Sequence, residues 1–183
     1  VIVAISKIRI IAGKWRGRKL DVINLPALRP TPDRVRETLF NWLQEDIVGA
    51  CCLDLFAGTG VLGFEALSRG AGAVFMIESN PKIVESLKHH AEMLGSKSHT
   101  IKLADAMSWV RQSINKFDII FLDPPFGKGY LEPCLEAISE EMLLKPKGLV
   151  YVESEKKLVL PSDWKITKET KISNVESMLI EPI

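Results

Sequence analysis

The sequence predicts an α/β fold, a mostly parallel, twisted sheet of seven strands with helices on both faces. Two observations predict it. Between residues 51 and 154, short apolar strands alternate with segments of helical spacing, which is typical of parallel strands joined by right-handed crossover helices. From residue 157 onward, polar and apolar residues alternate in two stretches, which suits antiparallel edge strands.

Each core element follows from its local pattern. Runs rich in β-branched and aromatic residues predict strands at 52–56, 73–78, 99–105, 117–123 and 148–154. The segments between them predict helices at 60–69, 81–94, 106–114 and 130–143. Gly70 and Gly95 end the first two helices, and Lys-Pro-Lys-Gly at 145–148 closes the last. The tail, 157–183, supplies the two remaining strands.

The first 45 residues form an extension that precedes the alternation. Strands at 8–13 and 18–23 flank a hairpin connection that contains Gly17. Thr31 as N-cap and Pro32 at the first helical position predict a helix over 32–45. We therefore expect a single domain, 1–183, in which residues 1–45 precede a core of residues 46–183.

Charge is distributed unevenly along the chain. The 183 residues carry a net charge of +1, but residues 1–40 hold nine lysines and arginines against three acids. That segment therefore has a charge of +6 and the remaining residues −5. Such asymmetry indicates that the N-terminal segment contacts a polyanion. A merely solvated basic face is the alternative.

Apolar run lengths and cysteine spacing argue against a membrane protein and against a metalloprotein. No apolar run reaches the roughly 18 residues that cross a bilayer, and the opening VIVAI has no basic flank of a signal peptide. The three cysteines show no metal spacing, and we expect the histidines at 89, 90 and 99 to lie at the surface. We expect a cytoplasmic protein with reduced thiols and no bound metal.

A glycine-rich turn, 54–63, follows the first core strand. Glycine lets the backbone turn tightly against a ligand, and the next helix presents free N–H groups. Alone, this turn could cradle a dinucleotide. Three consecutive strands, however, end in an acid: Asp54, Glu78 and Asp105. The second of these acids, Glu78, can accept hydrogen bonds from both hydroxyls of a ribose. Three acids at one edge of the sheet together favour a nucleoside that carries positive charge. Asp105 alone could simply N-cap helix 106–114.

The fourth core strand ends in Asp123-Pro124-Pro125-Phe126. This strand is expected beside the first, so the tetrapeptide lies next to the glycine-rich turn. The Asp123 carboxylate and the Pro124 carbonyl form an acceptor pair that would hold an exocyclic amine with its lone pair aimed at an electrophile. Phe126 offers a stacking face, which is worth about 1–3 kcal/mol per base. An ordinary strand-ending turn is the alternative.

Five segments together resemble the RsmD-like family, bacterial guanine-N2 methyltransferases of 16S rRNA. They are RIIAGKWRGRKL (9–20), LRPTPDRVRETLFNWL (28–43), LDLFAGTGVLGFEALSRGA (53–71), IESN (77–80) and FDIIFLDPPF (117–126). The resemblance implies a Rossmann-like class I fold that uses S-adenosylmethionine (SAM), with a guanine at nucleotide 966 as target. Beyond Gly148 the resemblance fades, because the ending KISNVESMLIEPI differs from the family pattern.

The resemblance also implies roles for individual residues. Asp123 to Phe126 would hold the guanine, Glu78 the ribose of SAM, and Asp105 its adenine. Asp54 and the glycine turn would hold its methionine part. The full set expected around SAM is Asp54, Phe56, Ala57, Gly58, Thr59, Gly60, Glu78, Ser79, Asp105 and Ala106.

The basic extension would face RNA. Its expected contacts are Lys14, Trp15, Arg16, Arg18, Arg29 and Arg34, since cations and aromatic rings together commonly bind RNA. Trp15 could equally belong to the hairpin core. The expected partner is 16S rRNA, within an assembling or assembled 30S subunit, and the protein is expected to be a monomer without membrane contact.

Three other functions fit parts of the pattern. An adenine-N6 DNA methyltransferase could use the same acid-Pro-Pro-aromatic motif, although the chain shows no separate domain for reading DNA bases. An RNA-binding assembly factor could retain the fold without catalysis. A protein-glutamine methyltransferase fits less well, since those enzymes usually carry Asn where Asp123 stands.

Overall fold

The seven-stranded sheet predicted from the sequence is present. The computed structural model describes residues 6–22, 31–154, 158–172 and 175–183. The core strands are β3 (Cys51–Asp54), β4 (Ala73–Glu78), β5 (His99–Leu103), β6 (Phe117–Leu122), β7 (Leu144–Ser154), β8 (Trp164–Ile172) and β9 (Val175–Pro182). They lie in the order β5-β4-β3-β6-β7-β9-β8. The first five strands run parallel, and β9 is antiparallel to both β7 and β8.

The strand order reverses between β3 and β6. The chain moves outward from β3 to β5, then returns to place β6 on the other side of β3. In open parallel sheets, such a reversal leaves a crevice outside the carboxyl ends of the strands. The crossovers contain the helices α2 (Val61–Ser68), α3 (Pro81–Met93), α4 (Ala106–Val110) and α5 (Leu131–Glu140).

The sheet separates two hydrophobic cores. In β6, Ile119 and Phe121 pack into one core while Ile120 and Leu122 pack into the other, and all four are fully buried. Apolar residues at successive positions therefore serve opposite faces, because side chains alternate along a strand. This explains the uninterrupted apolar run that precedes Asp123.

The N-terminal extension is a hairpin and a helix. It comprises β1 (Ser6–Arg9), β2 (Lys19–Val22) and α1 (Asp33–Trp42), with β1 and β2 antiparallel. Two fully buried charged side chains, Arg36 of α1 and Glu65 of α2, fasten it to the core. Glu65 accepts hydrogen bonds from the backbone N–H groups of Ile11 (2.8 Å) and Ala12 (3.0 Å). The Arg36 guanidinium donates to Glu65 (3.4 Å) and to the Arg9 carbonyl (3.1 Å).

The structure corrects several local expectations. Thr31 is not an N-cap, because α1 starts after Pro32 without a side-chain cap and the Thr31 hydroxyl is turned towards Asp123. Helix α4 spans only Ala106–Val110, and α5 ends at Glu140 because Leu144 already pairs with β6. His90 is buried rather than exposed, since its Nε2 accepts a hydrogen bond from the backbone of Asp21.

None of the helices in the described residues has the length and apolar character needed to cross a membrane.

Candidate active site

A cavity of about 620 Å³ opens at the carboxyl ends of β3, β4, β5 and β6. It gathers the four strand-ending acids that the sequence singles out. All of the predicted SAM and guanine residues except Gly60 line it: Asp54, Phe56, Ala57, Gly58, Thr59, Glu78, Ser79, Asp105, Ala106, Asp123, Pro124, Pro125 and Phe126.

Gly60 shapes the turn without entering the cavity wall. It precedes α2 with φ +74°, a conformation that glycine adopts without strain. A Cβ there would lie 2.4 Å from Leu87 Cδ2 and 2.8 Å from Phe64 Cε2. Gly60 therefore serves the conformation of the turn and the close approach of α2 to α3.

Asp54 is the most deeply buried acid of the cavity. It is the last residue of β3, is 2% exposed, and its Oδ2 accepts a hydrogen bond from the Gly63 N–H at 3.1 Å. Burial raises the pKa of Asp54 to about 7. A carboxyl held out of water in this way gains most from a cationic partner.

Glu78, at the end of β4, ties the two neighbouring turns together. Its Oε2 accepts from the Gly58 N–H at 3.1 Å, and its Oε1 accepts from the Asn80 N–H at 2.7 Å. The Ser79 hydroxyl also donates to Oε1 at 3.4 Å, whereas Oε2 keeps a second lone-pair direction. Glu78 can thus accept further hydrogen bonds from vicinal hydroxyls while it holds the glycine turn.

Asp105 caps a helix and lines the cavity at once. Its Oδ1 accepts from the Ser108 N–H at 2.9 Å at the start of α4. The capping alternative considered from the sequence is therefore present, and it leaves the other carboxylate oxygen for the cavity. The contact of Asp105 with an adenine stays a prediction.

Asp123 lies beside a second buried acid. The parallel pairing of Leu122 with Val152 brings Asp123, at the end of β6, next to Glu153 of β7, which is 3% exposed. The Tyr151 hydroxyl donates to Glu153 Oε1 at 2.8 Å, and the Thr31 hydroxyl donates to Asp123 Oδ2 at 3.3 Å.

The two carboxyls affect one another. Burial raises the pKa of Asp123 well above its ordinary value, and the neighbouring Glu153 raises it further. Burial likewise raises the pKa of Glu153. Within the described part of the chain, no lysine or arginine contributes to either shift. Because a half-buried and a buried carboxyl side by side resist ionising together, the pair holds a proton more tightly than a free carboxyl does.

Sequence reasoning missed several residues of the site, and four of them bear on its chemistry. Thr31, Lys128 and Tyr130 line the cavity, and the Tyr130 ring lies 5.6 Å from that of Phe56. Glu153 lies beside Asp123 and raises its pKa. Tyr130 and Glu153 each had a faint signal, an aromatic after Gly-Lys-Gly and an acid within the apolar strand GLVYVES. Thr31 had none, because its role depends on a contact 92 residues away.

None of the described residues predicted to face RNA lines the cavity. Trp15 is 8% exposed and its backbone N–H donates to Ser68 Oγ at 3.0 Å. Its side chain therefore belongs to the hairpin core, which was one of the two alternatives. Arg18 donates to the Met93 carbonyl at the end of α3 (2.9 Å). Lys14, Arg16 and Arg34 are exposed, and Arg29 lies outside the described residues.

A known family matches nearly the whole chain. The family described as "Conserved hypothetical protein 95" matches residues 8–181. The chain belongs to this family. "Ribosomal RNA small subunit methyltransferase D" of Haemophilus influenzae is 45% identical over 170 residues, which cover 90% of this chain and 88% of that protein. The protein of the same name from Escherichia coli K12 is 43% identical and covers 96% of this chain and 90% of its own length. The resemblance found in the sequence is thereby confirmed.

Solved structures agree with this assignment. The Escherichia coli protein yhhF superposes with a TM-score of 0.88 at 42% identity, over 97% of this chain and 98% of its own. The Haemophilus influenzae protein HI0767 superposes with a TM-score of 0.84 at 38% identity, over 97% and 99%. The predicted Rossmann-like methyltransferase fold is confirmed, including the C-terminal hairpin where the sequence resemblance fades.

Proposed function

We propose that this protein transfers a methyl group from SAM to the N2 amine of a guanine in 16S rRNA. One observation carries the proposal: Asp123 and Pro124, the predicted acceptor pair, line the same cavity as Asp54 and Glu78. Relatives at 43–45% identity that bear the name ribosomal RNA small subunit methyltransferase D support an rRNA substrate.

The cavity residues fit SAM. The deeply buried Asp54 would accept from the ammonium of the methionine part, and Glu78 would accept from the ribose hydroxyls, chiefly through Oε2. Gly58, with φ +49°, lets the backbone approach the ligand closely. When bound, SAM supplies an electrophilic methyl group on a sulfonium. The residues of the chain would position the acceptor base and accept the released proton.

Asp123, Pro124 and Phe126 would position the guanine. The base leaves its stack and enters the cavity, where Phe126 contacts its face. The two N–H groups of the amine donate to the Asp123 carboxylate and the Pro124 carbonyl, which turns the lone pair towards the methyl carbon. The prolines fix φ near −65°, so the carbonyl needs little reorganisation as charge develops on the nitrogen.

The acid pair would receive the proton that the reaction releases. The amine lone pair forms the N–C bond while the C–S bond breaks and its electron pair stays on sulfur. The methylated nitrogen then carries a positive charge, and it loses a proton to the Asp123 carboxylate. Glu153 favours this step because a neighbouring carboxyl increases the proton affinity of Asp123.

We infer that the substrate of this protein is the 16S rRNA of the 30S subunit, free or assembled.

The direct test uses labelled SAM and 16S rRNA or 30S particles that lack the modification. The expected product is labelled N2-methylguanine at one position, identified by nucleoside mass spectrometry. Duplex DNA serves as the competing acceptor. Label in N6-methyladenine of DNA, or none in N2-methylguanine of rRNA, would contradict the proposal.

A further inference from the structure

A second, smaller cavity adjoins the active site. It measures about 290 Å³ and lies between the β1–β2 hairpin and the start of α1. Its charged lining residues are Lys7, Arg9, Lys19 and Asp33. We call it the hairpin groove.

The hairpin groove begins where the catalytic cavity ends. Thr31 lines both cavities, and its hydroxyl bonds Asp123 Oδ2 at 3.3 Å. A polymer that leaves the catalytic cavity past Thr31 therefore enters the groove directly. The part of the substrate next to the reacting base would lie there.

The lining of the groove is cationic. Lys7, Arg9 and Lys19 are exposed. Asp33, the single acid of the lining, already accepts from Arg9 Nε at 2.9 Å and from the buried Arg36. Lys7 pairs with Asp21 across the hairpin at 2.9 Å, with both side chains about half exposed. Such exposed pairs contribute little and exchange readily, so these cations are available to an incoming anion.

The other basic cluster of the hairpin lies at the opposite end of α2. Helix α2 starts at the cavity and ends at Ser68, about 12 Å further on at a rise of about 1.5 Å per residue. Lys14 donates its backbone N–H to the Ser68 carbonyl at 2.9 Å, and Arg18 bonds the far end of α3. Arg16 and Arg18 are therefore at the edge of the sheet away from the chemistry.

We infer that the hairpin groove binds the sugar–phosphate backbone of the RNA beside the extruded guanine, with Lys7, Arg9 and Lys19 contacting phosphates. The inference rests on the proposed function and assigns the RNA contact of the extension to these residues. The hairpin thereby acts as one wall of the substrate path, fastened to the core through Arg36 and Glu65.

Two matched variants test the assignment. Lys7→Ala/Lys19→Ala and Arg16→Ala/Arg18→Ala each remove two exposed cations from the same hairpin. Binding to unmodified 16S rRNA is measured over a range of KCl concentrations. Each lost phosphate contact flattens the slope of log K against log salt by about 0.7 for single strands. We expect a loss of about 1.4 for the Lys7/Lys19 variant, with a raised KM for RNA, and an unchanged slope for the Arg16/Arg18 variant.

SAM affinity and melting temperature, which neither change should alter, report on folding. Lys7→Gln/Lys19→Gln removes the charges but keeps most of each side chain, and it repeats the test if the alanine variant is unstable. An unchanged slope for the Lys7/Lys19 variants, or an equal loss in both pairs, overturns the inference. Failure of the unaltered protein to methylate rRNA would contradict the proposed function instead, and the slope comparison would still decide on the groove.

Discussion

At the scale of single residues, the chemistry depends on four acids at neighbouring strand ends, each in a different environment. Burial raises the pKa of Asp54 to about 7, so its carboxyl is about half ionised at neutral pH, whereas Glu78 and Asp105 accept hydrogen bonds from backbone N–H groups. Asp123 shares its surroundings with Glu153. One functional group, the carboxyl, would thus provide a cation site, a hydroxyl acceptor, a helix cap and a proton acceptor.

Glu153→Gln should shift the pH dependence of turnover. Glu153 raises the pKa of Asp123, and Asp123 must be ionised to accept from the amine. Removing the neighbouring carboxyl lowers that pKa, so the acid limb of kcat moves to lower pH. A kcat profile against pH measures the shift. Glu132→Gln, an exposed acid of α5, is the control. An acid limb that stays in place in the Glu153 variant would remove Glu153 from the mechanism.

SAM binding should weaken as the pH falls through 7. The Asp54 carboxyl titrates at about 7 in the unliganded protein, and only its ionised form attracts an ammonium. Between pH 8 and pH 6 the ionised fraction falls about tenfold, and the affinity should fall with it. Calorimetric titration at several pH values measures this. Asp54→Asn should bind weakly with a flatter profile; an equally steep profile in that variant would contradict the assignment.

At the scale of elements, the turn between β3 and α2 requires glycine at position 60 for two reasons, a positive φ and close packing against neighbouring side chains. Gly60→Ala should destabilise the protein more than Gly17→Ala. Both positions have positive φ, +74° and +81°, and each alanine carries a strain of about 1–2 kcal/mol. At Gly60 a Cβ also meets Leu87 and Phe64, whereas Gly17 has nothing within 4 Å. Urea unfolding compares the two. Equal free energies of unfolding would show that the packing contributes nothing.

The junction between the extension and α2 should be sensitive to loss of charge. Arg36→Met leaves Glu65 buried with one cationic partner fewer, and breaking a buried pair costs about 3–5 kcal/mol. The exposed pair Arg111–Glu140 gives the control, since Arg111→Ala should cost about 0–1 kcal/mol. Unfolding in urea measures both. Similar losses in the two variants would mean that the buried cluster does not fasten the extension.

At the scale of the whole molecule, local patterns were enough to predict the sheet and the edge where the site lies. The apolar run of β6 and the acids at or just after the ends of β3, β4 and β5 are features of consecutive residues. Parallel strands share one carboxyl edge, so the location of the cavity followed.

Long-range contacts escaped prediction. Arg36 and Glu65 are 29 residues apart, and nothing in their neighbourhoods marks them as buried. The pairing of Asp123 with Glu153 depends on the register of β6 and β7. The hairpin groove likewise exists only because Thr31 and the hairpin meet in space. The distribution of charge along the sequence located the basic extension, but it could not separate the cations of the hairpin groove from Arg16 and Arg18.

The central claim is that Asp123 acts on the target amine rather than on the cofactor. The most direct measurement takes Asp123→Ala and determines, in parallel, its affinity for SAM and its yield of N2-methylguanine in 16S rRNA. Loss of one preorganised polar contact at a reacting atom typically lowers kcat about 10²–10³-fold. We expect a loss of that order with SAM affinity unchanged. Unchanged turnover, or an equal loss of SAM binding, would contradict this account of the site.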